Sequence, residues 1–518
     1  MTDKESTDRW SYLWFLLGVL CWNLIYGLHV MPVAAWLCWL FLIRFMRTQP
    51  SLRGYFLIGA ADVISTSVDA WEGSVPFTGE ILVGILVFAV LTSGIPFLFD
   101  KLITHHIEGF GSTLAFPMAV TAGEFLLLET SPAGSFGSVG YSQYGNLPLM
   151  QLVSLTGIWG LTFLIAWFAA VVNWAWEHSF RWPEIRFGML AYTSIMVLVM
   201  AYGGGRLALS AIRPTESVAV VSFTMVDSRK DWGEFVIGGP GWQGLVLRGE
   251  GSDAFRHVSR GFHDLYFAET SRQASSGPKI VLWPEAAGIT WGEEDKEALL
   301  NRARQVARDS GIYLVIPTYR MDGEGKQPPE NTLVFVDPMG ETVLEHVKFG
   351  GNVFEGSVEG NGILQTTDTP YGRLSGAICW DMDFPSIIRQ SGQNGTDILL
   401  APAGDWREIS PFHAQMSVFR AIENGVSLVR QADNGLSIAT DPYGRVLAAV
   451  DHFASSERIM RAQVPIEGIT TAYAIIGDVF AWLSVIGCAG IFGYALLRRR
   501  GKETSRLRVH DSDVHPQK

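Results

Sequence analysis

Three apolar runs in this chain end on residues that can move protons or make bonds. KIVLWPE closes on Glu285, with Pro284 fixing the turn. EHVKFGG carries Lys348 just past a hairpin, beside Gly350 and Gly351, which let backbone approach closely. SGAICWDMDFP places Cys379 where an apolar run gives out, ahead of a helix expected from Pro385. A carboxylate, an ammonium and a thiol are the base, oxyanion partner and nucleophile that sulfur-centred catalysis needs. The lysine and the nearby helix start both favour thiolate over the ~8.5 pKa of a free thiol. Taken singly, each residue has a plainer reading: a turn glutamate, a solvated lysine, a buried inert cysteine.

Cysteine usage narrows the choice. Of the four cysteines, Cys21, Cys38 and Cys488 fall in apolar helical segments, which leaves Cys379 alone in the polar part of the chain. It has no local disulfide partner, and no CxxC or Cys/His cluster suggests zinc, so neither a metal nor a cofactor is expected. His257, His263 and His413 lie on helical patterns and read as surface or packing residues. The glycine-rich GGPGWQG (238–244) follows no strand-to-helix pattern and reads as a loop, not a phosphate cradle. A formal charge of −12 argues against nucleic-acid binding.

The elements that must position the three residues lie between 211 and 470. Short β-branched runs (SVAVVSF, YLVIPTY, TLVFVDP, DILLAPA, SLVRQAD) are apolar on consecutive residues, as strands covered on both faces require. A helix is expected over 293–310, stopped by Gly311, and another over 411–424, opened by Pro411. This is a layered α/β domain. Around it the chain is far more apolar, with candidate membrane helices near 10–29, 31–47, 54–70, 80–99, 112–128, 150–176, 187–209 and 471–497. With the N-terminus inside, Arg44, Arg47, Arg53, Lys101, Arg181, Arg186 and the RRRGK run (498–502) all fall on the inner side. The outer loops 71–79 and 129–149 hold no Lys or Arg, which is the positive-inside asymmetry. The expected division is a bundle of seven helices (1–210), an extracytoplasmic domain (211–470), an eighth helix (471–497) and a basic cytoplasmic tail (498–518).

The order Glu285, Lys348, Cys379 at strand ends of one α/β domain resembles the nitrilase superfamily of C–N hydrolases. GYSQYGNLPLMQLVSLTGIWGLTFL (140–164), ENTLVFVDPMGETV (330–343) and FRAIENGVSLVRQADNGLSIATDPYGRV (419–446), with the membrane frame, are similar to apolipoprotein N-acyltransferases. That resemblance implies a bundle of about eight transmembrane helices carrying an αββα sandwich, in a bacterial inner membrane, with the catalytic domain on the periplasmic side. It implies transfer of an acyl chain from a membrane phospholipid, through a Cys379 thioester, to the N-terminal amine of a diacylated apolipoprotein. Glu285 would be the base, and Lys348 with the Trp380 N–H would hold the oxyanion. Glu355 would stand for the family's acidic residue after the lysine, one residue closer than usual. Asp381 would replace the family's glutamate, and Trp232 would match a tryptophan near substrate. Two alternatives share the sequence: a membrane-anchored amidase or nitrilase that passes its acyl group to water, and a catalytically silent scaffold.

Overall fold

The computed structural model describes residues 9–75, 78–128, 130–210, 216–225, 252–322 and 326–513. Trp232 and the GGPGWQG stretch lie outside the described residues.

The N-terminal part is helical: α1 (Ser11–Trp22), α2 (Pro32–Thr48), α3 (Ser51–Glu72), α4 (Gly79–Thr92), α5 (Ile95–Ile103), α6 (Ala115–Leu128), α7 (Leu147–Met150), α8 (Val153–Thr156), α9 (Trp159–Glu177) and α10 (Trp182–Ser210). Helix falls on every expected span, but the spans are unequal. Among the described residues, five stretches are long and apolar enough to cross a bilayer: Gly79–His106, Gly109–Leu128, Trp159–Glu177, Trp182–Ser210 and Val479–Arg498. The 12 residues of α1 reach only about 18 Å against a hydrocarbon core of about 30 Å. The span expected at 150–176 becomes continuous helix only from Trp159, because Gly157 at φ 65° breaks the chain after α8.

Two sheets follow. The first runs β13 (Ile459–Pro465), β1 (Ser217–Phe223), β2 (Ile280–Leu282), β4 (Tyr313–Met321), β5 (Glu330–Val336), β6 (Thr342–Val347), with β3 (Gly288–Trp291) also on β4. The second runs β12 (Val446–Asp451), β11 (Leu436–Thr440), β10 (Ser427–Asp433), β9 (Ile398–Gly404), β8 (Gly372–Gly376), β7 (Thr366–Thr369). Both are mixed: β1, β2 and β4 are parallel, as are β8, β9 and β10, and antiparallel strands flank each set. Alternation within single strands explains the layers. Val221, Phe223 and Val281 face outward onto α11 (Ser252–Ala274) and α12 (Gly292–Ser310), while Val220, Ile280 and Leu282 face the second sheet. Leu399, Ala401 and Leu428 face α14 (Pro385–Gln393) and α15 (Phe412–Asn424). The result is an αββα sandwich. The four-residue α13 (Asn352–Glu355) lies in the loop after β6.

The α15 helix has no solvent face. Its Phe412, Ala414, Met416, Phe419 and Ile422 share one buried cluster with Tyr141, Leu149 and Trp159 of the bundle. The short α16 (Ala472–Ile476) and the long α17 (Val479–Asp513) follow; α17 continues past 497 into the expected tail, as far as Asp513.

Candidate active site

Glu285 stands three residues beyond β2, and Ala286 after it takes a left-handed φ of 58°. Its Oε1 accepts from Lys348 Nζ at 2.7 Å and from Asn331 Nδ2 at 2.8 Å; its Oε2 accepts from the Gly404 N–H at 2.7 Å. Lys348 is fully buried and also donates to Glu355. Cys379 does not end a strand: β8 stops at Gly376, and the thiol opens a 3-10 turn, Cys379–Asp383. Its φ is 46°, a left-handed conformation that costs a non-glycine residue roughly 1–3 kcal/mol and so must be held by its surroundings. The sulfur rests 3.8 Å from the Gly404 carbonyl oxygen. One residue, Gly404, therefore touches the carboxylate through its N–H and the thiol through its carbonyl oxygen.

Two features hold the lysine loop against this turn. A Cβ at Gly350 would come within 2.6 Å of the Trp380 carbonyl carbon and 2.8 Å of the Asp381 nitrogen, so the two segments meet only because position 350 lacks a side chain. Asp381 then joins them. Its Oδ1 accepts from the N–H groups of Phe349 and Gly350 (2.8 and 2.7 Å), and its Oδ2 from Ile378 N (2.8 Å) and His346 Nε2 (2.7 Å). With no exposed surface, Asp381 faces the interior and not the cleft. Trp380 does face open space, edge-on to Phe354 at 5.2 Å. It lines a small apolar cavity of about 60 Å³ with Trp406, Asp383 and, from the bundle, Ser74, Val75, Ala133 and Phe136.

The electrostatics correct one expectation. Burial, then the Glu285 carboxylate, pushes the Cys379 thiol up; Lys348 and Arg430 pull the other way without prevailing. The resting sulfur is a thiol, not a thiolate, because local sequence signals for thiolate are outweighed by dehydration. Burial alone would lower the Lys348 ammonium, but Glu285 and Glu355 hold it well above its usual range. Burial pushes the Glu355 carboxyl up against the pull of Lys348. It would also push Asp381 up, but His346 and the N–H groups of Ile378 and Gly350 outweigh it and keep that carboxyl low.

The sequence reading overlooked Asn331, Gly404 and a buried ionic group behind the sulfur: Asp383, Asp405, His413 and Arg430. His413 is not a surface or packing residue; it is fully buried between two carboxylates. Asp405 carried the same signal as Glu285, an apolar run (ILLAPAG) ending on a carboxylate.

Residues 16–171 match the apolipoprotein N-acyltransferase N-terminal domain, and residues 263–473 match the carbon–nitrogen hydrolase family. An apolipoprotein N-acyltransferase from Geobacter metallireducens is 24% identical over 96% of this chain and 98% of its own length. The enzyme of that name from Rhodopseudomonas palustris is 25% identical, covering 96% and 92%. Among solved structures, an amidase from Nesterenkonia sp. aligns over 52% of this chain and 95% of its own at 19% identity, with a TM-score of 0.38. With residues 16–171 matching that family's own N-terminal domain, residues 263–473 matching a C–N hydrolase, and two relatives aligned over 96% of it, the chain is a homologue of the apolipoprotein N-acyltransferases: a bacterial membrane acyltransferase.

Proposed function

We propose that this protein takes an acyl chain from a membrane phospholipid, holds it as a thioester on Cys379, and delivers it to the N-terminal amine of a diacylglyceryl-cysteine lipoprotein. The observation that carries the reading is the convergence of Glu285, Lys348 and Cys379 around Gly404, beside an apolar cavity shared with the bundle. Glu285 takes the thiol proton as sulfur attacks the ester carbonyl. Because burial keeps the resting sulfur protonated, this base is indispensable. Lys348 and the Trp380 N–H hold the tetrahedral oxyanion. Collapse expels the lysophospholipid alkoxide, which takes the proton from Glu285 and leaves the thioester. The incoming amine then attacks and gives its proton to Glu285, and the departing thiolate recovers it. Glu355 keeps Lys348 charged between turnovers.

The membrane frame follows from energetics. At about 0.8 kcal/mol per CH₂, drawing a whole acyl chain into water costs on the order of 10 kcal/mol, so the thiol must work at the bilayer surface. We read the arginine-poor loops 71–79 and 129–149 as periplasmic, with residues 211–470 outside the cytoplasm and 498–518 inside.

The test is direct. Purified protein given phospholipid should gain one acyl chain on Cys379, removable by hydroxylamine and by a diacylated lipopeptide. Discharge by water as fast as by lipopeptide would make it a hydrolase. No adduct, with Cys379→Ala indistinguishable from wild type in cells, would make it a scaffold.

A further inference from the structure

Behind the thiol lies a charged group that the reaction above leaves unused. Asp405 accepts from Arg430 through both oxygens, Oδ2 from Nη1 at 2.8 Å and Oδ1 from Nη2 at 2.9 Å. The same Oδ1 lies 2.9 Å from His413 Nδ1, and His413 Nε2 faces Asp383 Oδ1 at 3.3 Å. His413 and Arg430 have no exposed surface, and Asp383 and Asp405 have 1% and 5%. An oxygen of Asp405, a nitrogen of His413 and the Cys379 sulfur all lie within 4.8 Å of one another. That is the donor set of a metal site, but the residues do not fit one. Both Asp405 oxygens are already taken by a buried guanidinium, which leaves that carboxylate no open side for a metal ion.

Charge balance gives the better account. Two carboxylates face one guanidinium, and an imidazolium completes the pairing. Burial opposes the charge on His413, but Asp383 and Asp405 outweigh it and raise its pKa from 6.5 to about 9. The position of this cation matters more than its charge alone. Asp383 ends the turn that Cys379 opens. Asp405 directly follows Gly404, whose N–H holds Glu285 and whose carbonyl oxygen meets the sulfur. His413 thus spans the two segments whose separation sets the approach of base to nucleophile.

We propose that His413, seated on the Asp405–Arg430 pair, is a positioning residue: its imidazolium ties the Cys379 turn to the Gly404 strand end and keeps the sulfur aimed at Glu285. The proposal rests on Cys379 and Glu285 acting as described, and its test has one arm that does not. The groups facing the sulfur are Glu285, Lys348, Asp405, Arg430 and His413; those facing His413 are Asp383, Asp405 and Arg430. In His413→Gln the loss of a cation this close shifts the pH profile of Cys379 alkylation by chloroacetamide upward, by about one unit. Single-turnover acylation from phospholipid falls at least ~10-fold, with KM for phospholipid changed less than ~2-fold. Asp383→Ala leaves Asp405, Arg430 and their contact with His413 in place and removes the side chain that ties His413 to the turn; its acylation rate falls by a similar factor. A folded His413→Gln with a wild-type alkylation profile overturns the proposal. So does Asp383→Ala acylating at the wild-type rate, whether or not His413→Gln folds. If wild type takes no acyl group from phospholipid, the proposed function fails, while the alkylation profile still decides the role of His413.

Discussion

Lys348→Met separates the electrostatic and the structural work of the buried lysine. Methionine matches the lysine stem in length but removes an ammonium that is fully buried and contacts two carboxylates. The carboxylates do not fare equally. Glu285 keeps two donors, Asn331 Nδ2 at 2.8 Å and the Gly404 N–H at 2.7 Å. Glu355 loses its lysine, keeps about a third of its side chain exposed (31%), and has its carboxyl pushed up by burial already, so it takes up the proton. That relief places the cost near the low end for breaking a buried pair, about 3 kcal/mol. For a domain of this size, each kcal/mol lowers Tm by roughly 2–4 °C, so the fall is about 6–12 °C.

Adding Glu355→Gln removes the carboxyl that the lysine no longer neutralises and returns about 1 kcal/mol. It cannot return an oxyanion donor. Acyl-adduct formation on Cys379, followed by intact-protein mass spectrometry, should drop by roughly 10²–10³ in Lys348→Met and stay down in the double variant. Thermal unfolding in detergent supplies the stability arm. A double variant that acylates as fast as wild type would show that Lys348 only neutralises Glu355. Unchanged acylation in Lys348→Met alone would remove the lysine from the chemistry altogether.

Two further outcomes follow from the same geometry. His413 has its pKa raised from 6.5 to about 9 by Asp383 and Asp405. Because the folded value is the higher one, the stabilisation is complete below pH ~6.5 and is lost as pH rises through 9, at most about 3 kcal/mol. Tm measured from pH 6 to pH 9.5 should fall more steeply in wild type than in His413→Gln, and parallel curves would contradict the ion pairing. Gly350→Ala brings a methyl within 2.6 Å of the Trp380 carbonyl carbon and should part the lysine loop from the Cys379 turn, slowing acylation at least ~10-fold. Gly356→Ala, at φ 67° with open space around it, should cost only the left-handed strain of about 1–2 kcal/mol and leave acylation intact. Equal acylation in the two variants would refute the close-approach argument.

The parts of the site that were legible in the sequence are those written locally. Ser217–Phe223 forms a strand with the bounds its apolar run suggests, and Gly311 at φ 62° ends the helix it punctuates. Glu285 and Lys348 stand just past β-strands, where apolar runs gave out. Cys379 and His413 show what local pattern cannot carry. The thiol is raised by burial between two sheets, a property of strands far apart in sequence. His413 sits on a helix whose period implies a solvent face, yet the bundle covers that face through Tyr141, Leu149 and Trp159. Tertiary packing overrode both readings.

That same packing bears on the proposed reaction, because catalysis at a membrane needs more than an anchor. Ser135, in the bundle loop after α6, donates to the Asp383 carbonyl oxygen from both its N–H and its Oγ, at 2.7 Å each. A Cβ on neighbouring Gly134 would strike the same carbonyl. The Cys379 turn is therefore held on one side by a bundle loop and on the other, through Asp383, by His413. Trp406 Nε1 donates to Gly73 O at 2.8 Å, Gln151 Nε2 to Tyr443 O at 2.9 Å, and Arg420 Nη2 to the Tyr141 hydroxyl at 2.9 Å, extending the seam. Polar contacts of this kind contribute only about 1 kcal/mol each. Together with the shared core around Phe412 and Phe419 they make the two-sheet domain a fixed extension of the bundle, not a body on a tether. A tethered domain would sample many heights above the lipid, and most would leave the sulfur out of reach of an ester at the headgroup level. By joining the nucleophile's own turn to a bundle loop, the fold sets that height with the same bonds that set the thiol's direction.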